Sequence, residues 1–149
     1  MSKYKFSKIK KFHQYDPQIS IYNDDVIFFD SKGSILRFDN DSDLVWKKNN
    51  YSKSEKKQNP ILFFKNNKKT LIVADNISKY YALDINTGKI LWSKNNTAPF
   101  NSQLKIYKDK FFIIDYNNIL RAYSIKDGNE IWKIKTENSL IRSQTKLSM

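Results

Sequence analysis

The 149-residue chain has no cysteine, only three glycines and three prolines, and a single histidine, His13. Without cysteine there is no disulfide framework, no thiolate-held metal and no thiol nucleophile, and the redox compartment stays open. One histidine cannot form a His pair on a metal. Three scattered glycines cannot supply a glycine loop to cradle phosphate. Acidic residues are also scarce: 15 Asp and Glu stand against 27 Lys and Arg, a formal net charge of +12. No apolar run approaches the roughly 20 residues that span a bilayer as a helix. Residues 1–12 (MSKYKFSKIKKF) also lack the apolar stretch and small-residue cleavage site of a secretory signal.

Aromatic residues, by contrast, are plentiful. Ten Phe, nine Tyr and three Trp make up 15% of the chain, within a hydrophobic fraction of 40%. That content points to a folded, β-rich chain and away from disorder. The positive charge is carried almost wholly by lysine, spread along the chain and placed in turns such as residues 65–69 and 108–110, with residues 1–12 as its one local cluster. A nucleic-acid footprint is concentrated, rich in arginine and interleaved with stacking aromatics. The scatter therefore reads as solvated strand faces and loops, and no nucleic-acid partner is favoured.

An internal repeat decides the architecture. Residues 18–30 (QISIYNDDVIFFD) align without a gap on residues 103–115 (QLKIYKDKFFIID), and residues 61–75 (ILFFKNNKKTLIVAD) have the same form with a longer Asn/Lys turn. Each copy continues through a polar turn into SILRFD (34–39), KYYALD (79–84) or ILRAYS (119–124), and then into LVW, ILW or EIW. Trp46, Trp92 and Trp132 set a repeat of 40 to 46 residues. Each unit holds four short β-branched and aromatic runs separated by turn chemistry, which predicts four antiparallel strands. No segment shows sustained 3.6-residue periodicity with caps, so helices are not expected.

Four strands repeating every forty-odd residues is the pattern of a β-propeller blade. The fold class is all-β, a partial propeller of about three blades. The expected division is 1–16 as a basic entry segment or the end of a preceding blade, then blades at 17–49, 59–95 and 100–135, and the start of a fourth blade at 140–149. Three blades do not close a ring, since propellers typically have about 4–8. The sequence thus reads as a piece of a longer protein, whose remaining blades are partners, or as a chain that closes by self-association. A Trp buries roughly 150–250 Å², a gross contribution of about 4–6 kcal/mol at ~25 cal/mol/Å². One per unit at a fixed place predicts a packing anchor on the outer strand.

The middle copy reads Ala82-Leu83-Asp84-Ile85-Asn86-Thr87-Gly88-Lys89-Ile90-Leu91-Trp92. This resembles the AxDxxTGxxxW signature of the pyrroloquinoline-quinone (PQQ)-like propeller repeats, with Ala82, Asp84, Thr87, Gly88 and Trp92 all in place. In the third copy Ala122, Gly128 and Trp132 hold their positions while Ser124 replaces the Asp. In the first, Asp39 and Trp46 remain, Arg37 replaces the Ala, and the turn is one residue shorter and lacks Gly. The spacing has a physical logic of its own. Asp84 and Thr87 can bond turn backbone, Gly88 can take a positive φ, and Ala82 leaves room for a bulky neighbour.

Two branches of this family matter. One comprises the quinoprotein alcohol and glucose dehydrogenases, which hold PQQ and calcium at the ring centre; many of the alcohol dehydrogenases set an adjacent-cysteine disulfide against the cofactor. The other comprises the BamB outer-membrane assembly lipoproteins, non-enzymatic eight-bladed scaffolds. The missing cysteine, the short plain blades and the lack of a recognisable cofactor or calcium-ligand motif make the chain more similar to the second. That resemblance implies no catalytic residues, no cofactor and no metal. It further implies a periplasmic, outer-membrane-associated location and the β-barrel insertase as protein partner. A fragment of a PQQ-dependent dehydrogenase, and a basic propeller binding RNA or anionic lipid, are the alternatives.

Other candidate chemistry is weak. Residues 39–43 (DNDSD) open like an EF-hand loop, but Leu44 and Asn50 stand where the loop needs Gly and Glu. Asp30, Asp75 and Asp115 recur after the second strand of each unit, where a ring of carboxylates competes with turn-opening Asp residues that cap their own backbone. Turn opening is the stronger expectation.

Overall fold

A computed structural model describes residues 19–136. The expectations for residues 1–16 and 140–149, and for His13, lie outside the described residues. The described chain forms three four-stranded antiparallel sheets in sequence order. The first holds β1 (Ser20–Tyr22), β2 (Asp25–Phe29), β3 (Ser34–Phe38) and β4 (Leu44–Asn49). The second holds β5 (Leu62–Asn67), β6 (Thr70–Asp75), β7 (Lys79–Asp84) and β8 (Ile90–Asn95). The third holds β9 (Lys105–Tyr107), β10 (Lys110–Ile114), β11 (Ile119–Ser124) and β12 (Glu130–Lys135). In every sheet the strands pair strictly with their sequence neighbours, as in a propeller blade.

Local chemistry fixes each reversal. The first hairpin of the first sheet turns on Asn23 and Asp24, both at positive φ (49° and 70°), which matches the right-handed twist of the strands. The middle copy differs from its expected longer turn. Asn66 and Asn67 belong to β5, paired with Leu71 and Thr70, and the reversal is made by Lys68 and Lys69 with Lys68 at φ 54°. The extra residues lengthen the strands because the hairpin ladder satisfies their backbone groups. The next reversal in each sheet is organised by a fully buried Asp. Asp30 Oδ1 accepts from the amides of Lys32 and Ser34, Asp75 Oδ1 from Ile77 and Lys79, and Asp115 Oδ1 from Asn117 and Ile119, all at 2.8 to 3.2 Å. These carboxylates close their own turns.

The sheets stack face to face. Ile27, Phe29 and Ile35 of the first pack with Leu62, Phe64, Leu71, Val73, Tyr81 and Leu83 of the second. The opposite face of the second sheet, with Phe63, Ile72, Ala74, Tyr80 and Ala82, packs against Phe100, Phe111, Ile113 and Tyr123. The run Leu71-Ile72-Val73-Ala74 is fully buried because alternate residues serve different cores. This is why the middle unit is the most continuously apolar in sequence. Strand β1 lies beside β5, and β5 beside β9, so the first strands of the sheets adjoin.

One helical turn departs from the all-strand expectation: α1 (Lys53–Lys56) in the connection between the first two sheets. Its stability is local. Ser52 Oγ accepts from the Glu55 amide at 3.2 Å and Glu55 Oε1 accepts from the Ser52 amide at 2.8 Å, a capping box. It buries no residue, so hydrophobic periodicity gives no sign of it.

Candidate functional site

The signature residues assemble between sheets rather than within one. In the second sheet the Asp84 amide donates to Lys89 O at 2.8 Å and the Gly88 amide to Asp84 O at 2.7 Å. Asp84 Oδ1 accepts from the Asn86 amide, and Thr87 Oγ1 from the Lys89 amide. These bonds fix a hairpin with Gly88 at φ 74°. The indole of Trp46, from the first sheet, lies on this hairpin: a Cβ on Gly88 would sit 2.8 Å from Trp46 Cδ2. Trp46 Nε1 donates to Ile85 O at 2.6 Å. The third sheet repeats the arrangement. Gly128 has φ 77°, a Cβ there would lie 2.6 Å from the Trp92 ring, and Trp92 Nε1 donates to Ile125 O at 2.9 Å. Tyr80 Oη closes the seat by donating to Gly128 O.

Within a sheet, buried Ala82 and Ala122 stand directly across from Trp92 and Trp132, so their small side chains leave the cross-strand space to the indole. Burial of the three indoles differs sharply. Trp46 is 8% exposed, whereas Trp132 is 38% exposed and touches Phe112 at 5.8 Å between ring centroids. Trp132 occupies the place of an anchor, but no described sheet follows it. In the first sheet the turn holding Asp39 has Ser42 at φ 69° where the other sheets have glycine. Asp39 Oδ1 accepts from the amides of Asp41 and Asp43, so the residues resembling an EF-hand opening form a self-capped hairpin.

Several residues of these junctions carry no signature. Arg37, opposite Trp46, bonds Asp25 Oδ2 through Nε and Nη2 at 2.7 and 2.6 Å. Its Nη1 reaches Ile85 O at 2.8 Å, the same carbonyl that Trp46 uses. Arg121 is buried between Asp115 Oδ2 at 2.8 Å and Glu130 Oε1 at 2.6 Å. Desolvation works against the Arg121 charge, but hydrogen bonds to Asp115 and Glu130 outweigh it and raise the pKa. Tyr51, in the first connection, donates to Asp75 Oδ2 at 2.6 Å, and Asn96, in the second, donates to Asp115 Oδ2 at 3.2 Å. Each connection thus clasps the turn-closing Asp of the sheet it enters. Burial lifts the Asp75 carboxyl to about 6, opposed by the Tyr51 hydroxyl and the Lys79 and Ile77 amides. Burial also pushes the Tyr51 hydroxyl well above its ordinary value. Two of the three arginines sit on third strands, an unusual placement that was the available sequence signal; Tyr51 and Asn96 left none.

Among the described residues no three or more His, Cys, Asp or Glu side chains are grouped to hold a metal ion, and no helix is long and apolar enough to cross a membrane. Two of the clefts on the described surface border the first sheet. One, of about 390 Å³, runs along Val26, Phe28 and Phe38 to the Asp39–Ser42 hairpin. The other, of about 550 Å³, is lined by lysines from three segments of the chain.

Residues 21–149 match the sequence profile of a family described as outer membrane protein assembly factor BamB. The chain belongs to the BamB family. Among solved structures, BamB from Moraxella catarrhalis superposes with a TM-score of 0.68 at 18% identity, covering 84% of this chain and 37% of that one. The computationally designed Ika8 protein matches at 0.69 and 13% identity, covering 89% of this chain and 39% of that one. Quinohemoprotein alcohol dehydrogenase from Comamonas testosteroni matches at 0.63 and 15% identity, covering 78% and 20%. At these identities the structural likeness shows the propeller-blade fold alone, with BamB-type and quinoprotein-type propellers both represented. No curated protein matches by sequence. This BamB-family chain spans little more than a third of the Moraxella protein's length. Its repeats meet through Trp-on-Gly seats, which join blade to blade.

Proposed function

We propose that this chain is part of a non-catalytic binding scaffold of the BamB type that acts in assembling β-barrel proteins of the outer membrane. The reading places it in the periplasm at the outer membrane, with the barrel insertase as its protein partner and further blades of the same propeller as its neighbours. The observation that carries it is the family match over residues 21–149. The geometry supports it, because the signature residues are committed to turns and blade seats. Recruitment would then use sheet edges and loops, by strand addition or loop docking. The test is native extraction of the intact protein followed by affinity purification. Recovery of the insertase in stoichiometric amounts is the expected result, and its absence from the eluate overturns the proposal.

A dehydrogenase reading draws on the quinohemoprotein alcohol dehydrogenase and a europium-containing methanol dehydrogenase among the similar folds. It requires that the intact protein bind PQQ and reduce a dye in a calcium-dependent way. Scaffold function requires neither, so one titration of PQQ against the intact protein separates the two.

A further inference from the structure

We propose that the lysine-lined cleft beside the first sheet binds a ligand carrying clustered phosphate groups. Lys32 from the β2–β3 turn, Lys47 from β4, and Lys53, Lys56 and Lys57 from the α1 segment surround the cleft of about 550 Å³, and the described lining includes no carboxylate. These lysines are scattered in sequence, and only the fold gathers them.

Two described acids close to these lysines in sequence, Glu55 and Asp30, are already engaged. Glu55, on the same helical turn, bonds the Ser52 amide and lies 3.3 Å from Lys79 Nζ. Asp30, fully buried, caps the amides of Lys32 and Ser34. The floor is ordered. Asn49 Nδ2 donates to Lys32 O at 2.9 Å and to Ser34 Oγ at 3.0 Å, tying β4 to the β2–β3 turn. The capping box at Ser52 fixes the helical turn that carries Lys53 and Lys56 and ends at the C-cap Lys57. Ammonium groups recognise phosphate as point charges, without the planar fork of arginine. A ligand with several adjacent phosphates therefore gains from Lys32, Lys53, Lys56 and Lys57 together, whereas a single carboxylate or orthophosphate meets few of them. Among the described residues the cleft lining has no aromatic side chain for base stacking, which disfavours single-stranded nucleic acid.

The test titrates the full chain with tripolyphosphate, with orthophosphate, and with vesicles bearing a bisphosphorylated inositol headgroup. Saturable tripolyphosphate binding that weakens with added salt, with orthophosphate at least about tenfold weaker, is the expected result. Vesicle binding in addition assigns the site to a lipid headgroup; its absence assigns it to a soluble polyphosphate. The Lys53→Glu/Lys57→Glu variant changes two exposed side chains and lowers affinity by about tenfold or more. Lys32→Gln/Lys57→Gln is the milder variant should the first fail to fold. Lys126→Glu/Lys133→Glu makes the same charge change at exposed positions of the third sheet and leaves affinity within about threefold. Equal losses in the cleft variant and this control, or no saturable binding, overturn the site and leave only a response to net charge.

Discussion

The contact between Trp92 and Gly128 allows the seat to be tested as a pairwise interaction. Gly128→Ala introduces two separable penalties. An alanine at φ 77° occupies the left-handed region, at a cost of about 1–2 kcal/mol. Its Cβ would also lie 2.6 Å from two carbons of the Trp92 ring, so the indole must move away from Ile125 O. Overpacking of this kind costs about 1–3 kcal/mol. The single variant should therefore lose about 2–5 kcal/mol, the sum of the two. With Trp92→Ala already in place the clash is gone, and Gly128→Ala should cost only the backbone part, about 1–2 kcal/mol. The coupling expected from the double-mutant cycle is thus about 1–3 kcal/mol. Urea unfolding followed by far-ultraviolet circular dichroism measures all four proteins without relying on tryptophan as the probe. An equal cost of Gly128→Ala in both backgrounds would show that the glycine serves its own turn alone and that the seat is incidental.

Burial of the first and last indoles predicts opposite outcomes: Trp46→Ala should destabilise by about 3–5 kcal/mol through cavity formation, whereas Trp132→Ala, at 38% exposure, should cost less than about 1 kcal/mol in the same assay. Arg121→Ala strands the fully buried Asp115 without its cation and should cost about 3–5 kcal/mol. Arg121→Met combined with Asp115→Asn should recover part of that loss in thermal melts, and no recovery would rule out the stranded charge as the cause. Asp75 gives a pH signature of known sign. Its folded pKa of about 6 lies above its ordinary 3.8, so between these values the folded state holds more protons than the unfolded one. Its contribution to stability is greatest below about pH 4 and falls as pH rises through about 6, by up to about 3 kcal/mol at 1.36 kcal/mol per unit. The stability of the parent chain relative to Asp75→Asn should therefore fall from pH 4 to pH 7, and a rise would reverse the assignment.

Much of the architecture was legible because the determining signals are local. The Asn23-Asp24 turn, the Asp30, Asp75 and Asp115 caps and the short β-branched and aromatic runs of β2 and β10 all act within a few residues, so a single copy of the repeat displays them. Other features escaped for identifiable reasons. The α1 turn is held by two hydrogen bonds and buries nothing, which leaves no periodic pattern. The additional Asn residues of the second hairpin carry turn chemistry, yet the ladder to Leu71 and Thr70 draws them into the strand. The lysines at 32, 47, 53, 56 and 57 read as scatter because the chain returns to the same edge three times. The role of Arg37 was hidden by its partner's distance, since its guanidinium reaches a carbonyl in the next copy, at Ile85.

The same displacement in sequence explains the least intuitive feature of the seats. Judged by the signature, the first copy is the most worn and the middle one intact, which invites the expectation that Trp92 is the best anchored indole. Burial runs otherwise: Trp46, from the worn copy, is 8% exposed. The reason is that a glycine serves the tryptophan of the preceding copy. Trp46 rests on the intact hairpin of Gly88, so the missing glycine at Ser42 in its own copy leaves its seat untouched. Arg37 shows the complementary effect. It occupies the place of the signature alanine opposite Trp46, but its guanidinium extends to Asp25 and to Ile85 O, joining the indole on one acceptor. Wear within a copy is therefore no measure of how firmly that copy is held. For a propeller of this kind the meaningful unit is the staggered one, from the outer strand of one blade to the hairpin of the next, and an exchange of hairpins between copies should transfer anchoring strength to the preceding tryptophan.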